Sequence, residues 1–138
     1  MVDLFQNGLI FTLNYVEGCR FCDVGLELSK RLKFADLSSA ALPFIVEDML
    51  AEIVKEYTMI HENGWKYLAL ENFNILFEPA LKVNINAFIK KAGTGVSLIL
   101  KTDHPVQDYA YYPFLGDTTR RIDLNNIPLT QIGFQTSK

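Results

Sequence analysis

The chain has 138 residues, of which 49% are hydrophobic and 21% are charged, and its formal net charge at pH 7 is −3. This length and composition predict one globular domain over residues 1–138 and exclude a disordered chain. The negative charge argues against direct nucleic-acid binding, and no apolar run approaches the roughly 18 residues of a membrane span. Residues 1–7 lack the basic start and cleavage site of a secretory signal, so we expect a cytoplasmic protein with reduced cysteines.

The first half of the chain predicts a strand followed by two helices. β-branched and aromatic residues favour a strand over 9–15. Asp23 is a suitable N-cap for a first helix that ends near Phe34. Pro43 can open a second helix because the first amides of a helix have no partner within it. The apolar face of that second helix is predicted to consist of Ile45, Met49, Ile53, Tyr57 and Ile60.

The second half contains two short apolar runs, residues 67–70 and 96–100, which are typical of buried parallel strands. Between them we predict a third helix that opens at Pro79 and ends at Lys90 and Lys91. A strand-helix-strand order of this kind produces parallel strands. Residues 119–124 are predicted to form an edge strand. The fold class is therefore α/β, a three-layer arrangement of a mostly parallel sheet with flanking helices.

Polar residues follow both apolar runs at the point where each run ends. Glu71 and Asn72 follow the first, and Thr102 and Asp103 follow the second. Ligands of α/β proteins collect beyond the carboxyl ends of parallel strands, so these four residues are candidate ligand-binding residues at the sheet edge. They would suit a nucleotide sensor that binds without hydrolysis. The alternative is that they cap exposed amides and begin turns, with no role in ligand binding.

Cys19 and Cys22 form a C-x-x-C pair near the start of the first predicted helix. A helix dipole at that position would lower the pKa of Cys19 and make it an attacking thiol, with Cys22 as the resolving thiol. A cytosolic, thioredoxin-like redox protein is therefore one alternative function, and two small hydrophobic side chains in the core are the other interpretation. Zinc would need two more ligands, and His61 and His104 lack ligand spacing, so we predict no metal.

Three segments together resemble a known family: residues 22–32, CDVGLELSKRL; residues 67–77, YLALENFNILF; and residues 97–100, SLIL. They are similar to the small P-loop protein of BREX phage-defence systems, and the resemblance spans residues 20–124. It implies that residues 67–71 form the Walker B strand, with Glu71 in place of the usual Asp. The phosphate-binding loop and its helix would lie between the first predicted strand and Cys22, where this chain has too few residues to hold them. The resemblance therefore implies a truncated P-loop NTPase core that lacks the Walker A loop.

A phosphate-binding G-x-x-x-x-G-K-[ST] motif and a nucleophile with a neighbouring base are both absent from the sequence, which argues against an enzyme and against a bound cofactor. The leading hypothesis is a non-catalytic α/β binding subunit of a larger prokaryotic complex. As the resemblance implies, its partner would be an ATPase, methyltransferase or nuclease of an anti-phage assembly. The candidate contact residues are aromatic side chains that either face the partner or close the core: Tyr109, Tyr111, Tyr112 and Phe114.

Overall fold

The computed structural model describes residues 8–36, 38–62, 64–107, 109–114 and 116–124, together with the backbone of residues 132–135. Residues 1–7, on which the cytoplasmic prediction depends, lie outside the described residues. Strands occupy Leu9–Thr12 (β1), Phe21–Asp23 (β2), Met59–Ile60 (β3), Lys66–Glu71 (β4), Ser97–Lys101 (β5), Ala110–Tyr111 (β6), Ile122–Asp123 (β7) and Ile132–Gln135 (β8). Helices occupy Val24–Leu32 (α1), Leu42–Tyr57 (α2) and Ile85–Ala92 (α3).

Six of these strands form one sheet, in the order β2-β4-β5-β1-β8, and β3 joins it by pairing with β4. All neighbours along the main path are parallel, and only the β3–β4 pair is antiparallel. Leu68 lies opposite Leu98, which lies opposite Leu9, so apolar strands occupy the centre of the sheet. The α/β class, the mostly parallel sheet and the strand-helix-strand crossover β4-α3-β5 are thus confirmed.

The described helices all cover the same face of the sheet. Their buried side chains join one apolar cluster with Phe11, Leu68 and Leu98, whereas the cluster on the opposite face contains Ile10, Tyr67 and Ile99 and no helical residue. The prediction of a three-layer fold is therefore wrong for the described part of the chain. The connection between β1 and β2 is a loop rather than a helix. Side chains of that loop, such as Val16 and Cys19, pack on the second face of the sheet.

Asp23 caps α1 as predicted, with its Oδ1 accepting a hydrogen bond from the Leu26 amide at 2.9 Å. In the first turn of the same helix, Glu27 accepts hydrogen bonds from Arg31 at 2.7 Å and from the Tyr57 hydroxyl at 2.9 Å. The hydrogen bond from Arg31 is the main reason that the pKa of Glu27 is lowered. Because Tyr57 is the last residue of α2, this carboxylate ties α1 to α2.

The buried face of α2 is rotated from the predicted one. Ile53 and Tyr57 are buried as expected, but Ile45 and Met49 are only half-buried, and Ile60 lies in β3 with an exposed side chain. The other buried residues are Leu42, Val46 and Leu50. Both sets recur at helical spacing, so the helix is apolar on more than one side and the period alone could not select the face.

Two predicted boundaries were also wrong. Pro79 opens only a 3₁₀ turn, which ends at Leu81, and α3 begins at Ile85 with the Asn84 side chain as its cap. Lys82 has a φ of 52°, a left-handed conformation that interrupts the helical path. The predicted edge strand over 119–124 is reduced to β7, which pairs with β6 in a separate two-stranded sheet.

Candidate functional site

At the carboxyl ends of β2 and β4, Asp23 lies opposite Glu71, and the predicted sheet-edge residue Asn72 follows Glu71. Asn72 has a φ of 51°, donates through Nδ2 to Asp23 Oδ1 at 2.8 Å, and accepts the Gly25 amide on its backbone oxygen at 2.8 Å. Its amide side chain thus supports the cap of α1. These contacts are those of a structural residue and correspond to the capping alternative for Asn72.

Gly25→Ala should destabilise the protein although alanine normally favours a helix. An added Cβ would lie 2.7 Å from Asn72 Nδ2 and 3.1 Å from its backbone oxygen, and both atoms are held by hydrogen bonds to the start of α1. We expect the free energy of unfolding to fall by about 1–3 kcal/mol, as for other overpacked sites. Ser29→Ala, at an exposed position of the same helix, is the control and should change stability by less than about 0.5 kcal/mol. Urea denaturation of both variants measures the difference, and an unchanged Gly25→Ala midpoint would contradict the packing described here.

Glu71 is engaged by a residue that follows β1. The Tyr15 hydroxyl donates to Glu71 Oε1 at 2.6 Å, and this hydrogen bond is the main reason that the pKa of Tyr15 is raised. Lys101, at the end of β5, places Nζ 4.8 Å from the centre of the Tyr15 ring. Tyr15 therefore bridges the ends of β4 and β5 from the loop after β1. Sequence reasoning missed it, because nothing local indicates that its hydroxyl reaches Glu71.

Thr102 and Asp103 follow β5 as predicted, and their neighbourhood forms a tight turn. The Thr102 side chain is buried and donates to the His104 backbone oxygen at 3.0 Å, while its amide donates to the Thr12 oxygen at 2.8 Å. The Asp103 amide lies 3.4 Å from the Tyr111 hydroxyl. Thr102 thus uses its hydroxyl within the turn, as the alternative interpretation of this residue predicts, and only Asp103 presents an exposed side chain at this strand end.

Cys22 directly precedes Asp23, the N-cap of α1. Cys22 is buried in the middle of β2, and half-buried Cys19 precedes that strand. Burial raises the pKa of Cys19 to about 11, and burial is also the main cause that raises the pKa of Cys22 to about 12. The direction of this pKa change at Cys19 is opposite to the one that the redox interpretation expects. Both residues belong to apolar clusters on the two faces of the sheet, in agreement with the alternative interpretation.

Alkylation should be slow at both cysteines, because the thiolate is the reacting species. With a pKa of about 11 for Cys19, we expect iodoacetamide at pH 8 to react about 100-fold more slowly than with an unperturbed thiol such as glutathione. Cys19→Ser isolates the slower reaction of Cys22. Mass spectrometry of timed samples gives both rates, and a Cys19 that reacts faster than glutathione would restore the redox alternative.

The predicted aromatic contact loop divides between core and surface. Tyr111 is 1% exposed and is therefore not available to a partner. Phe114 packs edge-on against Phe77. Tyr112 and Phe114 are half-buried, and Tyr109 alone of the four is exposed, at 56%. Tyr111 therefore corresponds to the alternative in which the aromatic residues close the core, which the sequence could not distinguish from a contact surface.

A groove of about 420 Å³ lies between α2 and α3, and its lining includes the core residues Leu50 and Ala92. Its apolar lining includes Phe44, Leu50, Ala51, Val54, Ala87 and Phe88. Phe44 is 70% exposed at one end. The charged lining residues are Glu47 on α2, Lys82 before α3 and Lys91 in its last turn. Sequence reasoning missed this groove, although Phe44, Ala51 and Val54 recur at helical spacing on α2 and were a usable signal.

Within the described ranges, no cluster of three or more His, Cys, Asp or Glu side chains is arranged to hold a metal ion. Among the described helices none has the length and apolar character needed to cross a bilayer. The class that the structure defines is an α/β protein with a mostly parallel sheet. Comparisons with protein-family models, with curated proteins and with solved structures gave no match.

Proposed function

We propose that this protein is a non-catalytic binding subunit that contacts a larger protein through the groove between α2 and α3. The groove is the observation that carries the proposal. Its exposed apolar side chains, Phe44 above all, keep hydrophobic surface in water, which disfavours the free protein and is relieved when a partner covers it. The resemblance to the small P-loop protein of BREX systems supplies the setting, an anti-phage assembly with an ATPase, methyltransferase or nuclease.

The contacts at the sheet edge support a binding role over a catalytic one. Asn72 and Thr102 satisfy local backbone groups, and Glu71 accepts the Tyr15 hydroxyl at the place where a P-loop NTPase would hold a metal-bound water. A nucleotide that used Glu71 would first have to displace Tyr15. The raised pKa values of both cysteines weigh against the thiol redox alternative in the same way.

Affinity purification of the tagged protein from its native host tests the proposal. We expect a large protein to copurify in a fixed ratio through size exclusion, and the purified chain alone to show no nucleotide hydrolysis. Recovery of the chain alone, at expression levels matched to the untagged protein, would contradict the subunit proposal. The Ser29→Arg variant, changed at an exposed position of α1 outside the groove, should copurify with the same protein as the unmodified chain does.

A further inference from the structure

From the shape and charge of the groove we infer that its occupant is an amphipathic helix of the partner protein, with acidic residues along the edge that faces α3. This inference rests on the proposed function and names the partner's chemistry at the same surface. Helix-in-groove recognition places the apolar face of one helix between two others. Here α2 and α3 supply the two walls, and a third helix would complete the layer on this side of the protein.

The exposure of the groove residues favours a helix over a small molecule. Of the lining residues only Leu50 and Ala92 are buried, so most of the lining side chains are accessible to a large partner. A helix needs only its apolar face covered. Ala51 and Ala87, one on each wall, have short side chains that allow a helix backbone to approach closely.

The charges of the groove set the expected pattern on the occupant. Lys82 and Lys91 are exposed at opposite ends of the α3 wall, and neither takes part in an ion pair with another described residue. Glu47 is the charged lining residue on the α2 wall. Complementarity therefore requires acidic residues on the α3 side of the docked helix, and it permits a basic residue opposite Glu47.

A displayed helix library tests this inference with the purified full chain. Each member carries a fixed stripe of leucine at helical spacing, and the positions flanking the stripe vary among Glu, Gln and Lys. We expect selection to enrich Glu along one flank. The selected peptide and its Lys-flanked counterpart are then compared by fluorescence anisotropy, and the Glu peptide should bind at least about tenfold more tightly to the unmodified protein.

Two variants locate the binding and its charge preference. The double variant Lys82→Glu/Lys91→Glu should reverse the preference, and Ala87→Arg should abolish binding of both peptides, whereas Ser29→Arg should leave binding unchanged. The inference is overturned if no helix is selected, if the winners lack an acidic flank, or if binding survives Ala87→Arg. A homodimer that Ala87→Arg dissociates, or an apolar small molecule that copurifies only with the unmodified groove, would also overturn it. If a stoichiometric partner copurifies while the helix test fails, the proposed function stands and only the occupant is wrong.

Discussion

Tyr111→Ala should lower the free energy of unfolding by about 3–5 kcal/mol, the usual cost of truncating a large buried aromatic residue. The Tyr111 ring lies 6.3 Å from that of Phe11 on β1 and 6.2 Å from that of Phe73 after β4, measured between ring centres. Through these ring contacts, Tyr111 packs the segment after β5 against the helix-covered face of the sheet. Its removal leaves a cavity that these rigid neighbours can fill only in part.

Chemical denaturation with two controls measures this effect. Tyr109→Ala changes the exposed member of the same loop and should cost less than about 0.5 kcal/mol. Tyr111→Phe keeps the ring and should recover most of the stability lost in Tyr111→Ala. If Tyr111→Ala were as stable as the unmodified protein but lost its partner, the aromatic loop would be the contact surface and the structural role assigned here would be wrong.

Ala87→Arg should reduce affinity for the partner by at least about 30- to 100-fold while leaving the fold intact. The substitution places a long charged side chain on the exposed wall of the groove, where it blocks the apolar floor and must be desolvated on binding. Arginine has a high helix propensity, so we expect the free energy of unfolding to change by less than about 1 kcal/mol. Ala51→Arg on the opposite wall should act in the same way.

Binding and denaturation of each variant are measured on the same preparation, so that loss of affinity is separated from loss of folding. Ser29→Arg adds the same charge to an exposed position of α1 and should bind as the unmodified protein does. A partner that binds both groove variants at full affinity would show that the groove is not its contact surface.

The parts of the fold that local sequence determines were predicted well. β4 and β5 are apolar runs that end in polar residues, and the Asp23 side chain caps α1, so each carries its own signal in adjacent residues. β2 carries none, because three residues show no period and become a strand only by pairing with Ala69–Glu71. The face of α2 was also beyond local reasoning, since two apolar stripes satisfy the same helical spacing.

The candidate site depends on contacts between distant segments, and for this reason it was predicted only in part. The sheet topology correctly placed Glu71 and Thr102 at one edge, but Tyr15, which occupies Glu71, comes from a loop 56 positions earlier in the chain. The groove is lined by α2 and by residues 82–92, two segments that are far apart in the chain. Whether an apolar side chain is buried or exposed there is decided by that packing and not by its neighbours in sequence.

Hydrogen–deuterium exchange of the chain with and without its copurified partner tests the central claim most directly. We expect partner-induced protection in peptides that cover 42–54 and 82–92, the two walls of the groove, with little change in peptides that cover 71–77 and 101–114. Slower exchange follows where binding covers amides or suppresses local opening. Protection confined to the sheet edge or to the aromatic loop, with the groove peptides unchanged, would contradict the account.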